Sequence, residues 1–343
     1  MYMFKYICKR VGLMLVIFSI IFVTCFVLIR LVPINTSVGL GQDKDILMAQ
    51  IEDRGYNKPI PEQLLLYIKR IVVDGDFGRA YDKMPNIKMN TPVIDVFIER
   101  LPPTILINIM SSLLAVPVGI ALGIFAALKK NKWQDHVIST AVMVVISVPS
   151  FVYGSLFLYV VCFKLGILPK EIASLPAIVK EYADKGLQYI PYTANWELYF
   201  NPTMIKSMLP AVLCMSFGSI AGYTRFTRAE LTEVLTSEFM LLARTKGLTK
   251  SQATVRHALR NAMVPIFPSI IGEVLSVLSG SLVIERIFSI PGVGALYLNA
   301  INAQDYDFFM LLSSFYLLVG LAAGLVIDLS YGFIDPRIRM GAK

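Results

Sequence analysis

The chain has 343 residues, 56% of them hydrophobic and 16% charged, with a formal net charge of +8 and a mean hydropathy of +0.64. Soluble domains are usually about 45–50% apolar and about 25% charged, so the composition excludes a disordered chain and an ordinary soluble enzyme and points to the membrane. The positive charge alone fits nucleic acid, anionic lipid, or loops gathered on one side of a bilayer.

A bilayer core of about 30 Å takes roughly 20 apolar residues to cross as helix. Six runs meet that requirement: Val11–Val32, Pro103–Leu128, Val137–Phe163, Lys206–Thr224, Ala262–Ile284 and Phe309–Ser330. The first follows Lys5, Lys9 and Arg10, as a signal peptide would. Its apolar stretch is longer than such a segment needs and no small-residue cleavage site follows, so it reads as a retained helix. The predicted fold is an all-α polytopic membrane protein of six transmembrane helices.

Orientation follows Lys and Arg near the spans. Segments 1–10, 129–136, 225–261 and 331–343 carry 16 Lys+Arg against 5 Asp+Glu, whereas the other loops are close to parity. Both termini are therefore expected in the cytoplasm, and the net charge needs no nucleic acid. The loop 33–102, about 70 residues long, is the largest on the outer side. Within it Pro61–Val73 places Leu64, Leu65, Ile68, Ile71 and Val72 at helical spacing, with Lys69 and Arg70 opposite. That pattern suits a small helix packed on the outer ends of the bundle, or one that docks a partner. The outer stretch Lys170–Met204 carries no motif.

Prolines 117, 149, 265 and 268 fall inside the runs, where membrane helices accept them if neighbours satisfy the freed backbone. Three G-x-x-x-G spacings, Gly119/Gly123, Gly218/Gly222 and Gly320/Gly324, allow close helix approach, whether within the bundle or at a subunit interface. Ionisable residues within the spans are Arg30, Glu273 and Asp328. The first and last are near enough to an interface to snorkel. Glu273 reads as deep and without an evident partner, which makes it the candidate pathway residue or, in a secondary transporter, a proton carrier. The four cysteines form no C-x-x-C pair and the two histidines are far apart, so no disulfide framework or metal centre is expected. No G-x-S-x-G or H-E-x-x-H occurs, which argues against a membrane hydrolase.

The inner segment 225–261 is the most informative. Ser237 can cap a short helix with Phe239, Leu242 and Ala243 on one face, and Gly247 can end it. Thr249 and Gln252 form a T-x-x-Q capping box that opens a second short helix to about Arg260. Such a pair could lie on the bilayer or fit a groove in a partner.

The run Leu242-Ala-Arg-Thr-Lys-Gly-Leu248, followed by Val255-Arg-His-Ala-Leu-Arg-Asn-Ala-Met-Val-Pro265, resembles the cytoplasmic coupling loop of ABC-transporter permeases, in the version of the dipeptide/oligopeptide branch. Against the general consensus E-A-A-x3-G-x9-I-x-L-P, Ala243, Gly247 and Leu259 keep their positions. Leu241, Leu242, His257 and Arg260 replace the glutamate, first alanine, isoleucine and proline. Further resemblances follow in order: Gly75-Asp-Phe-Gly-Arg79, Thr91–Thr104, Ser147–Phe151 with Leu165–Pro169, Glu285–Gly294 with Asp305-Tyr306, and Asp328–Arg339.

The resemblance implies a type I ABC importer transmembrane domain and a first, B-type permease subunit. On this reading 1–102 holds the N-terminal tail, first helix and long outer loop, 103–336 the permease domain with coupling loop 225–261, and 337–343 the cytoplasmic tail. It implies ATPase-coupling roles for Leu242, Ala243, Arg244, Gly247, Leu248, His257 and Leu259, and a gating turn at Pro291-Gly292. Expected partners are a second permease subunit, two ATP-binding cassette subunits, an extracytoplasmic binding protein and the lipid of a prokaryotic plasma membrane. No Gly-Lys dipeptide occurs, so no phosphate-cradling P-loop can form, and no cofactor is expected in this non-catalytic chain; ATP and Mg would belong to partners. Short peptides are the expected cargo, with nickel or other metal chelates and oligosaccharides as alternatives within the same architecture.

Overall fold

The computed structural model describes residues 2–32, 48–49, 52, 54–80, 84, 87–88 and 90–334. The ending Asp335–Arg339 and the tail 337–343 lie outside them. Helix α1 (Tyr2–Leu31) is followed by the outer helix α2 (Ile60–Lys69), which a π-helical turn extends over Arg70–Asp74. Then come α3 (Val93–Leu128), α4 (Trp133–Ser147) and α5 (Ser150–Phe157), the last continued by π-helix to Lys164. The outer stretch without a motif folds as α6 (Leu175–Glu181) and α7 (Trp196–Tyr199). The rest is α8 (Pro202–Leu235), α9 (Glu238–Thr245), α10 (Lys250–Ala253), α11 (Leu259–Ser276), α12 (Leu282–Ile287), α13 (Val293–Ala303) and α14 (Tyr306–Ile334). Five of these helices, counting Lys250–Ser276 as one, are long and apolar enough to cross a membrane, and a bent pair makes the sixth span.

That pair departs from the expected single run 137–163. The chain turns by 102° between Trp133–Ser147 and Ser150–Lys164. Val148 precedes Pro149, whose ring disfavours the helical region for its predecessor, and here Val148 is extended at φ −87°, ψ 125°. Pro117, Pro265 and Pro268, by contrast, sit inside uninterrupted helix.

The expected fifth span, Ala262–Ile284, also changes at both ends. Helix begins at Lys250 and passes through a π-turn, Thr254–Ala258, into α11, so the second short inner helix and the span are one rod. It stops at Ser276, and a turn with Gly280 at φ +62° leads into α12, whose first turn is capped by the Ser281 hydroxyl. Residues 282–284 therefore belong to an outer helix.

The centre of the bundle is the seam between α3 and α8. A Cβ at Gly119 would come within 2.6 Å of Tyr223 Cβ, and one at Gly123 within 2.6 Å of Thr227 Cβ. Thr224 Oγ1 donates across the seam to the Gly119 carbonyl at 3.2 Å. Gly222, Gly320 and Gly324 have open space where a Cβ would stand, so only the first G-x-x-x-G makes this intrachain contact. Gly123→Leu is expected to force the helices apart and cost at least about 1–3 kcal/mol, the usual range for overpacking. A depressed melting temperature of the purified protein in detergent, absent in Gly222→Leu, would show it.

The ends of the spans are pinned by charge. Arg10 and Asp328 pair at 2.8 Å, which sets the N-terminal part of α1 beside the C-terminal part of α14 and puts both ends on one side, called inner below. Asp135 is buried at the start of α4 and takes two bonds from Arg228 of α8, one of 2.8 Å from Nη2, with a third from the Asn131 amide. At the other side Arg30 does not snorkel as expected. Its guanidinium lies 3.9 Å from the Tyr56 ring centroid and 4.7 Å from that of Tyr306, a cation–π stack.

Two segments singled out in the sequence meet here. Asp307, fully buried, accepts from Arg54 Nη1, from Tyr56 Oη at 2.9 Å and from the Arg79 amide at 3.3 Å. Gly78, at φ +101°, faces it so closely that any Cβ would overlap the carboxylate. The Gly75–Arg79 motif thus closes on Asp307, the residue that directly follows the Asp305-Tyr306 motif. Stretch 170–204 caps the bundle alongside: Glu99 of α3 accepts from Tyr189 Oη at 2.8 Å and from the Tyr192 amide at 3.1 Å. Burial, then the Glu99 bond, pushes the Tyr189 phenol up to about 12.

Candidate functional site

The inner loop is built on alanines. Leu231 at the end of α8, Met240 and Ala243 of α9, and Ala253, Ala258 and Ala262 of the following rod form one buried cluster with Ala127 of α3. Small side chains let α9 lie close to the rod. Its other face is outward: Phe239 is 42% exposed, Leu241 65% and Leu242 56%. The expected face of Phe239, Leu242 and Ala243 is therefore wrong by a rotation. Ala243 packs inward with Met240, and Leu242 points out beside exposed Arg244 and Lys246.

Gly247 ends α9 at φ +89°. Its amide bonds the Arg244 carbonyl at 3.0 Å, and the Leu248 amide bonds the Ala243 carbonyl at 3.4 Å. These are the two bonds of a Schellman motif, with half-buried Leu248 packed on the same cluster as Ala243. Ser237 stands at the N-cap but turns its hydroxyl back to the Val234 carbonyl at 2.6 Å, so it does not cap α9 as expected. The Thr249 capping box forms in full: Gln252 N to Thr249 Oγ1 at 3.3 Å, and Thr249 N to Gln252 Oε1 at 3.1 Å. Of the remaining loop residues, His257 is exposed and Leu259 half-buried against the cluster. The loop brings Ala243, Leu248 and Leu259 together and leaves Leu242, Arg244, Gly247 and His257 open to the inner side.

Glu273 is partnered, contrary to the sequence reading. Its Oε1 accepts from Ser219 Oγ of α8 at 2.9 Å and from Ser112 Oγ of α3 at 3.4 Å, so three spans meet at one carboxylate. Two serines in the middle of apolar runs were the available signal.

The outer turn holds a carboxylate, Glu285, that stood out in the sequence only as part of the Glu285–Gly294 motif. Glu285, 1% exposed, accepts from Thr104 Oγ1 at 3.0 Å and from the Ala295 amide at 3.0 Å. Thr104 Oγ1 in turn accepts from the Val293 amide at 2.8 Å. Val293 and Ala295 open α13, so Glu285 and Thr104 satisfy N–H groups that the helix start leaves free. Burial pushes the Glu285 carboxyl up, and the hydrogen bonds to it pull the other way. Gly280, Gly292 and Gly294 close around it; a Cβ at Gly280 would stand 2.5 Å from Glu285 Oε1. Pro291 and Gly292, the expected gating turn, lie at this cap and line an outer cleft of about 130 Å³ with Arg100 and Asn299. No group of three or more His, Cys, Asp or Glu able to hold a metal occurs among the described residues.

Similarity to known proteins runs over nearly the whole chain. Residues 119–340 match the model of the binding-protein-dependent transport system inner membrane component, and residues 3–108 match the N-terminal model of the same transport systems. The chain belongs to that family. It is a membrane permease of an ABC importer, and the family's domain is the all-helical type I form. Among curated proteins it is 30% identical to the dipeptide transport system permease protein DppB of Lactococcus lactis subsp. cremoris, over 98% of this chain and 100% of that one. DppB of Bacillus subtilis is 29% identical over 99% of this chain and 100% of its own length. The glutathione transport system permease protein GsiC of Escherichia coli is 29% identical over 98% and 99%. Glu273, bonded to Ser112 and Ser219, is part of the polar interior of the bundle.

Proposed function

We propose that this chain is one of two dissimilar pore subunits in an ATP-driven importer of short peptides in a prokaryotic plasma membrane. The carrying observation is the apolar outward face of α9, Phe239, Leu241 and Leu242, set beside Arg244 and Lys246 on a turn that Gly247 fixes. An apolar helix face left open on the inner side suits a groove in a partner, and in this family the expected partner is an ATP-binding cassette subunit, one for each permease chain. ATP and Mg then belong to those subunits, and the pore subunit is non-catalytic. A binding protein would deliver cargo to the outer side, where the turn around Glu285, Pro291 and Gly292 is the candidate gate. The coupling residues are Leu242, Ala243, Arg244, Gly247, Leu248, His257 and Leu259, divided between those that hold the loop and those that meet the motor. On this reading residues 1–102 hold the N-terminal tail, first helix and long outer loop, 103–336 the permease domain and 337–343 the cytoplasmic tail.

Peptide cargo is supported by the names of the relatives, since a dipeptide and glutathione are both small peptides. The test is reconstitution with the partner subunits in sealed vesicles, offering labelled di- and tripeptides with ATP on the motor side. Uptake that needs ATP and the binding protein, and survives collapse of the proton gradient, is expected. Uptake driven by a proton gradient without ATP, and lost in Glu273→Gln, would overturn the reading. Transport of a nickel chelate or an oligosaccharide in place of peptides would overturn the cargo alone.

A further inference from the structure

Glu273 stands close to the end of α11, which stops at Ser276. Its depth is fixed by the serines it bonds. Ser112 lies near the middle of the 36 residues of α3, and Ser219 near the middle of the 34 of α8. At least about 24 Å of helix separates each serine from either end of its span. Helix α3 also places the carboxylate relative to the outer turn. Thr104 bonds Glu285 and the Val293 amide there, and Ser112 follows on the same helix about 12 Å further in.

The carboxylate is held from one side only. Both serines donate to Oε1, and Oε2 accepts from none of the described residues. Both donors are neutral hydroxyls, and Glu273 forms no ion pair with a Lys or Arg among the described residues. Glu273, Ser112 and Ser219 are each half-buried, so the cluster is open on one flank. One turn inward of Ser219 on α8, Gly222 is exposed and has nothing within 4 Å of a Cβ, which leaves room on that side. A carboxylate this far from either interface is costly against acyl chains, and such groups face a water-filled pathway or meet a cation. An open oxygen and an uncompensated charge thus coincide at one point, inward of the candidate gate.

We infer that Glu273 is a cargo site in the translocation pathway, its free Oε2 taking the protonated α-amino group of a peptide that has passed the outer turn. That assignment rests on the peptide cargo proposed above and sharpens it. The ammonium is the group that short peptides share whatever their side chains, so one carboxylate serves a mixed cargo. A charge-assisted N–H···O bond supplies what the serines leave open. The two hydroxyls keep the carboxylate oriented when no cargo is present. An uncharged oligosaccharide brings no such group.

The test is zero-length cross-linking on the assembled complex in nanodiscs, without ATP or binding protein. A water-soluble carbodiimide is added with isotope-labelled dialanine amide, and the adducts are mapped by mass spectrometry. The adduct at Glu273 is expected to saturate as the peptide concentration rises, while that at exposed Glu171 grows in proportion to it. Excess unlabelled dialanine amide should remove most of the Glu273 adduct, and its N-acetylated form should not. In reconstituted vesicles Glu273→Gln should lower the maximal rate of dipeptide uptake several-fold, with Glu273→Asp restoring part of it. Glutamine keeps an acceptor for both serines, so the melting temperature and the copurifying second pore subunit should not change. An absent or unsaturable adduct at Glu273, equal competition by the N-acetylated form, or unchanged uptake in Glu273→Gln would overturn the site. Loss of the second pore subunit in Glu273→Gln would also overturn it, by marking the carboxylate as a contact between subunits. A complex that forms the competed adduct but takes up no peptide would overturn the cargo reading and leave the site standing.

Discussion

Glu285→Ala is expected to unseat the outer turn. The change removes the acceptor for Thr104 Oγ1 and the Ala295 amide and leaves a void enclosed by Gly280, Gly292 and Gly294. Stranding a buried donor costs about 1–3 kcal/mol, and the cavity adds to it, so a loss of roughly 3–5 kcal/mol follows. Glu285→Gln keeps the shape but turns an N–H₂ toward a donor, so its loss should be smaller. Thr104→Val should resemble it, because the Val293 amide then loses its acceptor. Melting temperatures of the purified protein should fall in the order wild type, Gln, Ala. Equal melting of wild type and Glu285→Ala would refute the capping role.

Gly247→Leu is the second large effect, and it concerns work rather than folding. Nothing stands within 4 Å of a Cβ at Gly247, so the side chain meets no obstacle. The strain lies in the backbone at φ +89°, where a residue with a Cβ pays about 1–2 kcal/mol. The cheap relief is to open the Schellman turn, which swings α9 away from the alanine cluster. If α9 seats the motor, ATP hydrolysis by the assembled complex should persist while peptide uptake falls. Gly247→Asn is the control, because asparagine accepts the left-handed conformation and should retain uptake. Full uptake in Gly247→Leu would remove the turn from the coupling path.

What could be read in the sequence was the local chemistry. The six apolar runs, the Gly247 stop and the Thr249–Gln252 box depend on residues close in the chain, and each is present. The face of α9 was misjudged because Leu242 and Met240 are equally apolar, and only the alanines of a distant rod decide which one is buried. The break at Val148-Pro149 was marked by a proline that differs in no local way from Pro265, which bends nothing comparably. Glu285 was hidden for another reason. Its partner Thr104 is 181 residues away, and no spacing rule links a glutamate to a threonine on another helix.

The rod from Lys250 to Ser276 holds 27 residues, about 40 Å of helix. Its inner end begins at the Thr249 cap beside the Gly247 turn, and Glu273 sits one turn from the other end. The two places are points on one continuous helical rod, which a π-turn at Thr254–Ala258 and two prolines divide. Displacing the inner end by a few ångströms tilts, slides or bends the rod, and tilting or sliding shifts the Glu273 carboxylate against Ser112 and Ser219. In such a device the stroke is set by where the rod pivots, so substitutions midway along it, near Pro265 and Pro268, should change the size of the movement without touching either end.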